Sequence, residues 1–290
     1  MNYNRRKFIK ISGGAAAGVA VSSMAGMSLL SCAEKAKASE PFGIQLYTLR
    51  DILPADPKGI LKQVASFGYK FIESYEGPNG MFWGMSNKDF KKYMDDLGMV
   101  IVSSHTDINK DFDRKAAEAA EIGIKYLICP YLGAQPSLDH YKKFAADFNN
   151  RGEICKKNGI RFAYHNHEYT FVLQEGQYPQ DVLMTNTDPA LVDYEMDIFW
   201  VVTGKQDPVT WLKKYPNRFK LSHVKDRKKN TDERDAMCEL GTGIIDFPTV
   251  LRVAKENGME YFITEQDTNF ASSPMKSVEQ NAAYMKNIKF

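Results

Sequence analysis

From Phe42 onward the chain alternates short β-type runs with longer amphipathic stretches, and it does so eight times. No other feature constrains the fold as strongly, because a strand followed by a crossover helix returns to lie parallel to the strand before it. The strand-type runs begin at Phe42–Leu46, Tyr69–Glu73, Val100–Ser103 and Tyr126–Cys129, and continue at Arg161–His165, Leu191–Glu195, Lys220–His223 and Tyr261–Glu265. Helix-type stretches fall between and after them, at Pro57–Phe67, Asn87–Leu97, Asp113–Ile122, Leu138–Lys157, Gln180–Thr185, Asp207–Lys214, Phe247–Asn257 and Ser277–Ile288. Several end on a glycine placed for a C-cap, as in Phe67-Gly68, Leu97-Gly98, Ile122-Gly123, Asn158-Gly159 and Asn257-Gly258. The chain has neither G-x-G-x-x-G nor a P-loop, and the missing Gly-rich first turn and the polar tips on so many strands favour a closed barrel over an open doubly wound sheet. The pattern predicts an α/β chain folded as one (β/α)8 TIM barrel over residues 42–290.

The ends of the later strands carry the chemistry. Arg161–Tyr164 runs into His165-Asn166-His167-Glu168, Leu191–Tyr194 into Glu195-Met196-Asp197, Phe219–Ser222 into His223-Val224-Lys225-Asp226, and Tyr261–Thr264 into Glu265-Gln266-Asp267. A buried strand gains nothing from an unpartnered carboxylate or imidazole at its tip, since burying such a group costs free energy. Parallel barrels gather those tips at one mouth. Residues two apart on a strand share a face, so Glu195 pairs with Asp197 and His165 with His167. Two carboxylates on one face repel unless a cation lies between them. With imidazoles from neighbouring strands and Glu265 from the last, the candidate metal ligands are His165, Glu195, Asp197, His223 and Glu265. This mixed N/O set suits a divalent metal (Mn2+, Co2+, Zn2+ or Mg2+) and excludes sites that require thiolate. On the earlier strands Gln45, Tyr47 and Glu73 are candidates for hydrogen-bonding the hydroxyls of a substrate, with Trp200 for stacking on its face. His105 follows the third run. The segment from Asp226 to Leu240 reads as a solvated insertion over the mouth.

The first forty residues read differently. Asn4-Arg5-Arg6-Lys7-Phe8-Ile9-Lys10 resembles a twin-arginine export signal, and Leu29-Leu30-Ser31-Cys32 a lipobox in which Cys32 is lipidated. Residues 1–31 are thus expected to be a signal peptide and 32–41 a tether, with the protein in the periplasm or cell envelope, held to the membrane only through a lipid anchor. The formal net charge of +2 gives no electrostatic case for nucleic acid. Beyond Cys32 only Cys129, Cys155 and Cys238 remain, too dispersed for a disulfide framework or a structural zinc site.

Taken together, Phe42–Arg50, Tyr164-His165-Asn166-His167, Glu195–Trp200, His223–Asp226, Gly241–Phe247 and Glu265-Gln266-Asp267 resemble the xylose-isomerase-like barrel superfamily. That superfamily holds sugar isomerases and epimerases, inosose and dehydroshikimate dehydratases, and AP endonucleases. The resemblance implies a metal held by Glu, Asp, His and Glu from the last four strands, with Asp197, His223 and Glu265 at the last three positions. His165 stands where the first Glu is expected, and Glu195 is a possible substitute ligand. In the dehydratases an acid/base histidine follows the first ligand by two residues, which places His167 there. On this basis Glu265 is expected to serve as ligand and base, Lys225 as electrostatic partner of a sugar oxygen, and His167 or His105 as proton donor.

The resulting expectation is a metal-dependent isomerase or epimerase acting through a metal-stabilised enediolate on an unphosphorylated keto- or aldo-sugar. A lyase or hydratase acting on keto-sugars or 3-keto-glycosides is the alternative within the superfamily. A non-catalytic sugar-binding lipoprotein is the alternative outside it. The nuclease reading is weak, because such enzymes need a larger His-rich set than the five histidines here.

Overall fold

The structure, a computed structural model, describes residues 40–290, so the leader and Cys32 lie outside the described residues. Eight parallel strands form the barrel: β1 (Gly43–Gln45), β2 (Phe71–Tyr75), β3 (Val100–His105), β4 (Tyr126–Cys129), β5 (Arg161–His165), β6 (Val192–Asp197), β7 (Phe219–Val224) and β10 (Tyr261–Thr264). Each pairs with the next, and β10 closes the ring against β1. Between β7 and β10 lies a small antiparallel ribbon, β8 (Asp226–Arg227) with β9 (Met237–Cys238).

All eight expected helices are present within a few residues of their predicted bounds. Their ends follow local chemistry: Asp56 accepts a hydrogen bond from the Gly59 N–H ahead of Pro57, Ser86 from Asp89, and Asp246 from Thr249. The five glycines read as C-caps all take positive φ, as at Gly98 (68°) and Gly258 (91°). One further α-helix, Ile198–Thr203, starts directly at the end of β6, capped by Asp197, whose side chain accepts from the Trp200 N–H.

Inside the barrel, Val102, Tyr126, Ile128, Ala163, Leu221 and Ile263 pack into one apolar cluster. Two residues further along, the same inward faces turn polar: Ala163 gives way to His165, Leu221 to His223 and Ile263 to Glu265. The apolar layer plugs the barrel from below and confines its polar interior to the carboxyl ends of the strands. The ladder slips between Ile72 and Glu73, and again between Tyr194 and Glu195. Such irregularities re-aim side chains, and both fall immediately before an inward carboxylate.

Candidate active site

The polar interior is built on two levels that share one imidazole. At the mouth, His165 Nε2, Asp197 Oδ2, His223 Nδ1 and Glu265 Oε2 come from the ends of β5, β6, β7 and β10. His165 Nε2 lies 3.2 Å from Asp197 Oδ2, and His223 Nδ1 lies 2.8 Å from Glu265 Oε2 and 3.7 Å from Asp197 Oδ2. Below them, Glu73 and Glu195 face His105 and the Nε2 of His223. All of these residues are buried. Four of the chain's five histidines converge on the strand ends, while His140, on the Leu138–Lys157 helix, bonds Ser137 instead.

Glu195 and Asp197 do share the inward face, but they do not share a level. Two residues of strand rise roughly 6.6 Å, and Glu195 points its Oε2 at His105 Nε2, 2.8 Å away, instead of joining Asp197. His165 takes the fourth place in the mouth set. Gln45 and Glu73, expected to meet sugar hydroxyls, are fully buried and turned on each other: Gln45 Nε2 donates to Glu73 Oε1 at 2.7 Å, and Ser103 Oγ to Glu73 Oε2 at 2.5 Å. Trp200 is also buried, lying against the His167 ring with centroids 5.2 Å apart.

Above the mouth set is a cavity of about 320 Å³. Its walls include Tyr47, Tyr131, His167, Lys225, Glu265 and Asp267, with His105 and His165 reaching it from below. Asp267 and Tyr131 were not anticipated. The first was legible, since it stands two residues after Glu265 on the same face; Tyr131 lies in a loop, where spacing carries no direction.

Lys225 organises the charge. Its Nζ lies 2.5 Å from Glu265 Oε2, 2.7 Å from Asp267 Oδ2 and 3.1 Å from Asp197 Oδ2. Burial opposes its charge, but Asp197, Asp267 and Glu265 outweigh that and hold the ammonium firmly protonated. In turn, burial opposes ionisation of Glu265, yet Lys225 and His223 keep its pKa far below the usual carboxylate range. Burial, then Glu265, raises Asp267 to about 6. His167 is driven well below its ordinary value by burial and by His165, so it is neutral at pH 7, with Nδ1 enclosed and without a hydrogen-bond partner. Burial, followed by His223, lowers His165 to about 4.

The mouth set fits a divalent cation. Bonds of about 2.0–2.2 Å to N and O place neighbouring ligand atoms of a tetrahedral site about 3.3–3.6 Å apart, close to the separations found here. The Nδ1 of His223 is buried without a hydrogen-bond partner, 2.8 Å from Glu265 Oε2, and on losing its proton it offers a lone pair to a metal. Asp197 divides its oxygens, Oδ1 capping the Trp200 N–H and Oδ2 facing His165. Asn166 holds Asp197 by a reciprocal backbone clamp, receiving from the Asp197 N–H at 3.1 Å and donating to its carbonyl at 3.2 Å.

The Asp226–Leu240 segment is less solvated than its composition implies. Asp226 is buried and accepts from the N–H groups of Gly241, Gly243 and Arg227, and a Cβ at Gly243 would collide with its carboxylate. Arg227 is buried too and donates to the carbonyls of Glu233 and Arg234, pinning the loop from inside. Arg234 then forks onto Glu168 at 2.6 and 2.9 Å, with its guanidinium 4.4 Å from the Trp200 ring centre.

Comparison with known proteins agrees with this architecture. The family model described as xylose isomerase-like TIM barrel matches residues 61–288. Inosose dehydratase from Clostridium perfringens is 32% identical over 165 residues, covering 51% of this chain and 54% of that one. The chain thus spans about half the length of the curated relatives it matches. A crystal structure of a sugar phosphate isomerase/epimerase from Parabacteroides distasonis superposes with a TM-score of 0.72 at 33% identity, covering 86% of this chain and 94% of that one. The IolI protein, solved with a bound zinc atom, shares the fold with a TM-score of 0.68 at 15% identity, covering 85% and 96%. With the closed barrel, the polar strand ends and a family match over most of its length, this chain belongs to the xylose isomerase-like TIM barrel family.

Proposed function

We propose that the protein is a divalent-metal-dependent enzyme that removes the proton next to the carbonyl of an unphosphorylated keto- or aldo-sugar. That step is common to sugar isomerases, epimerases and dehydratases. The observation that carries the reading is the convergence of His165, Asp197, His223 and Glu265 within 4.8 Å of one another below a cavity of about 320 Å³, near the small end of ligand pockets. His165, Asp197, His223 and Glu265 would hold the ion, which when bound draws electron density from two adjacent sugar oxygens.

The side chains divide the remaining work. Glu265, ionised, accepts the proton. Lys225 faces Glu265 and Asp267, and presents a positive charge where a sugar oxygen gains negative charge. His167, neutral and lodged against Trp200, carries both a lone pair and an N–H for proton relay to a departing or reprotonated atom. Among the described residues Lys225 is the one Lys or Arg lining the cavity, and Asp197, Asp267 and Glu265 already engage it, so no cationic side chain is left over to receive a phosphate dianion.

Two outcomes follow from that step. Isomerisation or epimerisation returns the proton to carbon, and elimination expels the β-oxygen. The second is favoured by a specific asymmetry: an imidazole, His165, stands where a second carboxylate base would be needed for a symmetric two-face exchange. The similarity to inosose dehydratases points the same way. The test is incubation of metal-loaded protein with keto-sugars and 3-keto-glycosides in deuterated water. Deuterium uptake with a new epimer supports isomerase or epimerase activity, whereas an ultraviolet-absorbing enone supports the lyase. Neither product with any metal, together with full-affinity sugar binding by metal-free protein, would favour a binding protein.

We also propose that the twin-arginine pattern and Cys32 direct the protein to the cell envelope as a lipoprotein. No helix among the described residues is long and apolar enough to cross a membrane. Radiolabelled fatty acid should be incorporated into wild type and not into Cys32→Ser.

A further inference from the structure

The lower level of the polar interior is left over once the mouth set has been assigned. Glu73 from β2, His105 from β3, Glu195 from β6 and His223 from β7 meet there, closed in by the apolar layer below and the mouth set above. Two carboxylates in such a place demand about two positive charges, because an uncompensated buried charge costs several kcal/mol. No Lys or Arg makes an ion pair with either of them among the described residues. Protons meet the demand, on the imidazoles or on Glu195, whose pKa burial and then Glu73 raise, and so does one divalent cation.

The geometry points to the cation. We propose that Glu73 Oε1, His105 Nε2, Glu195 Oε2 and His223 Nε2 form a second, enclosed divalent-metal site of the zinc type beneath the first. The four N–O separations are 3.2, 2.8, 2.6 and 3.3 Å. Neighbouring ligands of a tetrahedral zinc site lie about 3.4 Å apart, within about 1 Å of each of these four separations. Glu195 Oε1 is the second observation: it is enclosed and has no hydrogen-bond partner, as a carboxylate oxygen does when its companion is a ligand. Outer support is in place as well, since Gln45 and Ser103 both donate to Glu73. Entry is through the cavity, whose floor His105 lines. The two sets share His223, which offers Nδ1 upward and Nε2 downward; with both ions bound, its ring bridges them, having released its N–H protons to solvent.

The site stands apart from the proposed reaction, except for that shared ring, and metal stoichiometry separates the two. Full-length protein is stripped with a chelator, reloaded with Zn2+ and dialysed, and bound zinc per chain is measured by mass spectrometry. Wild type should hold two equivalents, His105→Gln and Glu195→Gln one, and Asp197→Asn the other one. Reloading with Co2+ should give the strong visible absorption of tetrahedral cobalt, lost in Glu195→Gln and kept in Asp197→Asn. One equivalent in wild type, removed by Asp197→Asn and retained by His105→Gln, overturns the lower site and leaves the mouth site standing. One equivalent with the opposite variant pattern supports the lower site and overturns the mouth site. Two equivalents unaffected by both lower-level substitutions also overturn it. Circular dichroism of each variant identifies any that fails to fold, in which case the remaining lower-level substitution decides.

Discussion

The Lys225 ammonium lies 2.5 Å from the Glu265 carboxylate, and both side chains are almost entirely shut off from solvent. In this arrangement the base proposed for the reaction is kept ionised by a cation that is part of the fold, with Asp197 and Asp267 on the other sides of that cation. Removing Lys225 leaves three carboxylates without their common partner. Lys225→Met should therefore destabilise metal-free protein by roughly 3–5 kcal/mol, with part of the loss recovered on adding metal. Thermal unfolding with and without Zn2+ or Mn2+ measures both effects; an unchanged transition would mean that the pair does not balance the site.

Glu265→Gln removes the proton acceptor and weakens one ligand while keeping the shape. Turnover should fall by at least about 100-fold, with an unchanged circular dichroism spectrum. Wild-type rates in this variant would take Glu265 out of the chemistry.

His167 and His223 should separate cleanly. His167 belongs to neither ligand set, so His167→Gln should lower kcat by about 100-fold at full metal occupancy. His223→Ala should instead strip the metal, as the ring serves the mouth set directly. Paired metal and rate measurements distinguish them, and loss of metal in His167→Gln would place that ring among the ligands.

Alkaline pH should weaken the metal-free protein. Burial works against the charge on His105, but Glu73 and Glu195 outweigh it and raise its pKa from 6.5 to about 9, and His223 is shifted in the same direction. The folded chain therefore retains protons that the unfolded chain has released. That stabilisation is fully present below pH 6.5 and is lost as pH rises through about 9. The slope is about 1.4 kcal/mol per pH unit for each such proton. Urea unfolding at pH 7, 8 and 9 in the presence of a chelator tests it, and His105→Gln should flatten the dependence.

Arg234→Ala should release the outer edge of the Asp226–Leu240 loop from Glu168. Because Arg234 is half exposed, stability should change by no more than about 1 kcal/mol. The Arg227 anchor stays in place, so the effect should appear chiefly in KM. An equal fall in kcat with KM unchanged would contradict this.

The alternation of runs and the glycines closing the helices were enough to read the barrel, because both are set by local backbone geometry. Period-two spacing also showed which side chains face inward: Ile263, Glu265 and Asp267 follow one another from apolar layer to mouth, as do Leu221, His223 and Lys225. The short helix after Asp197 escaped notice because its residues continue an apolar run, and its start depends on a cap from a side chain also counted as a ligand. Arg227, in a segment of charged residues, gave no sign that it would be buried.

By itself, then, the sequence determined the architecture, the end of the barrel that carries the polar groups, and the face on which each inward side chain lies. Only the tertiary structure decided their height. Strand tilt and stagger set which residues of neighbouring strands pair, and here Asp197 pairs with His223, while Glu195, although paired with His165, turns its carboxylate to His105. With the ladder slips before Glu73 and Glu195, that stagger sends those two carboxylates downward to His105 and His223 and leaves His165, Asp197 and Glu265 around the mouth.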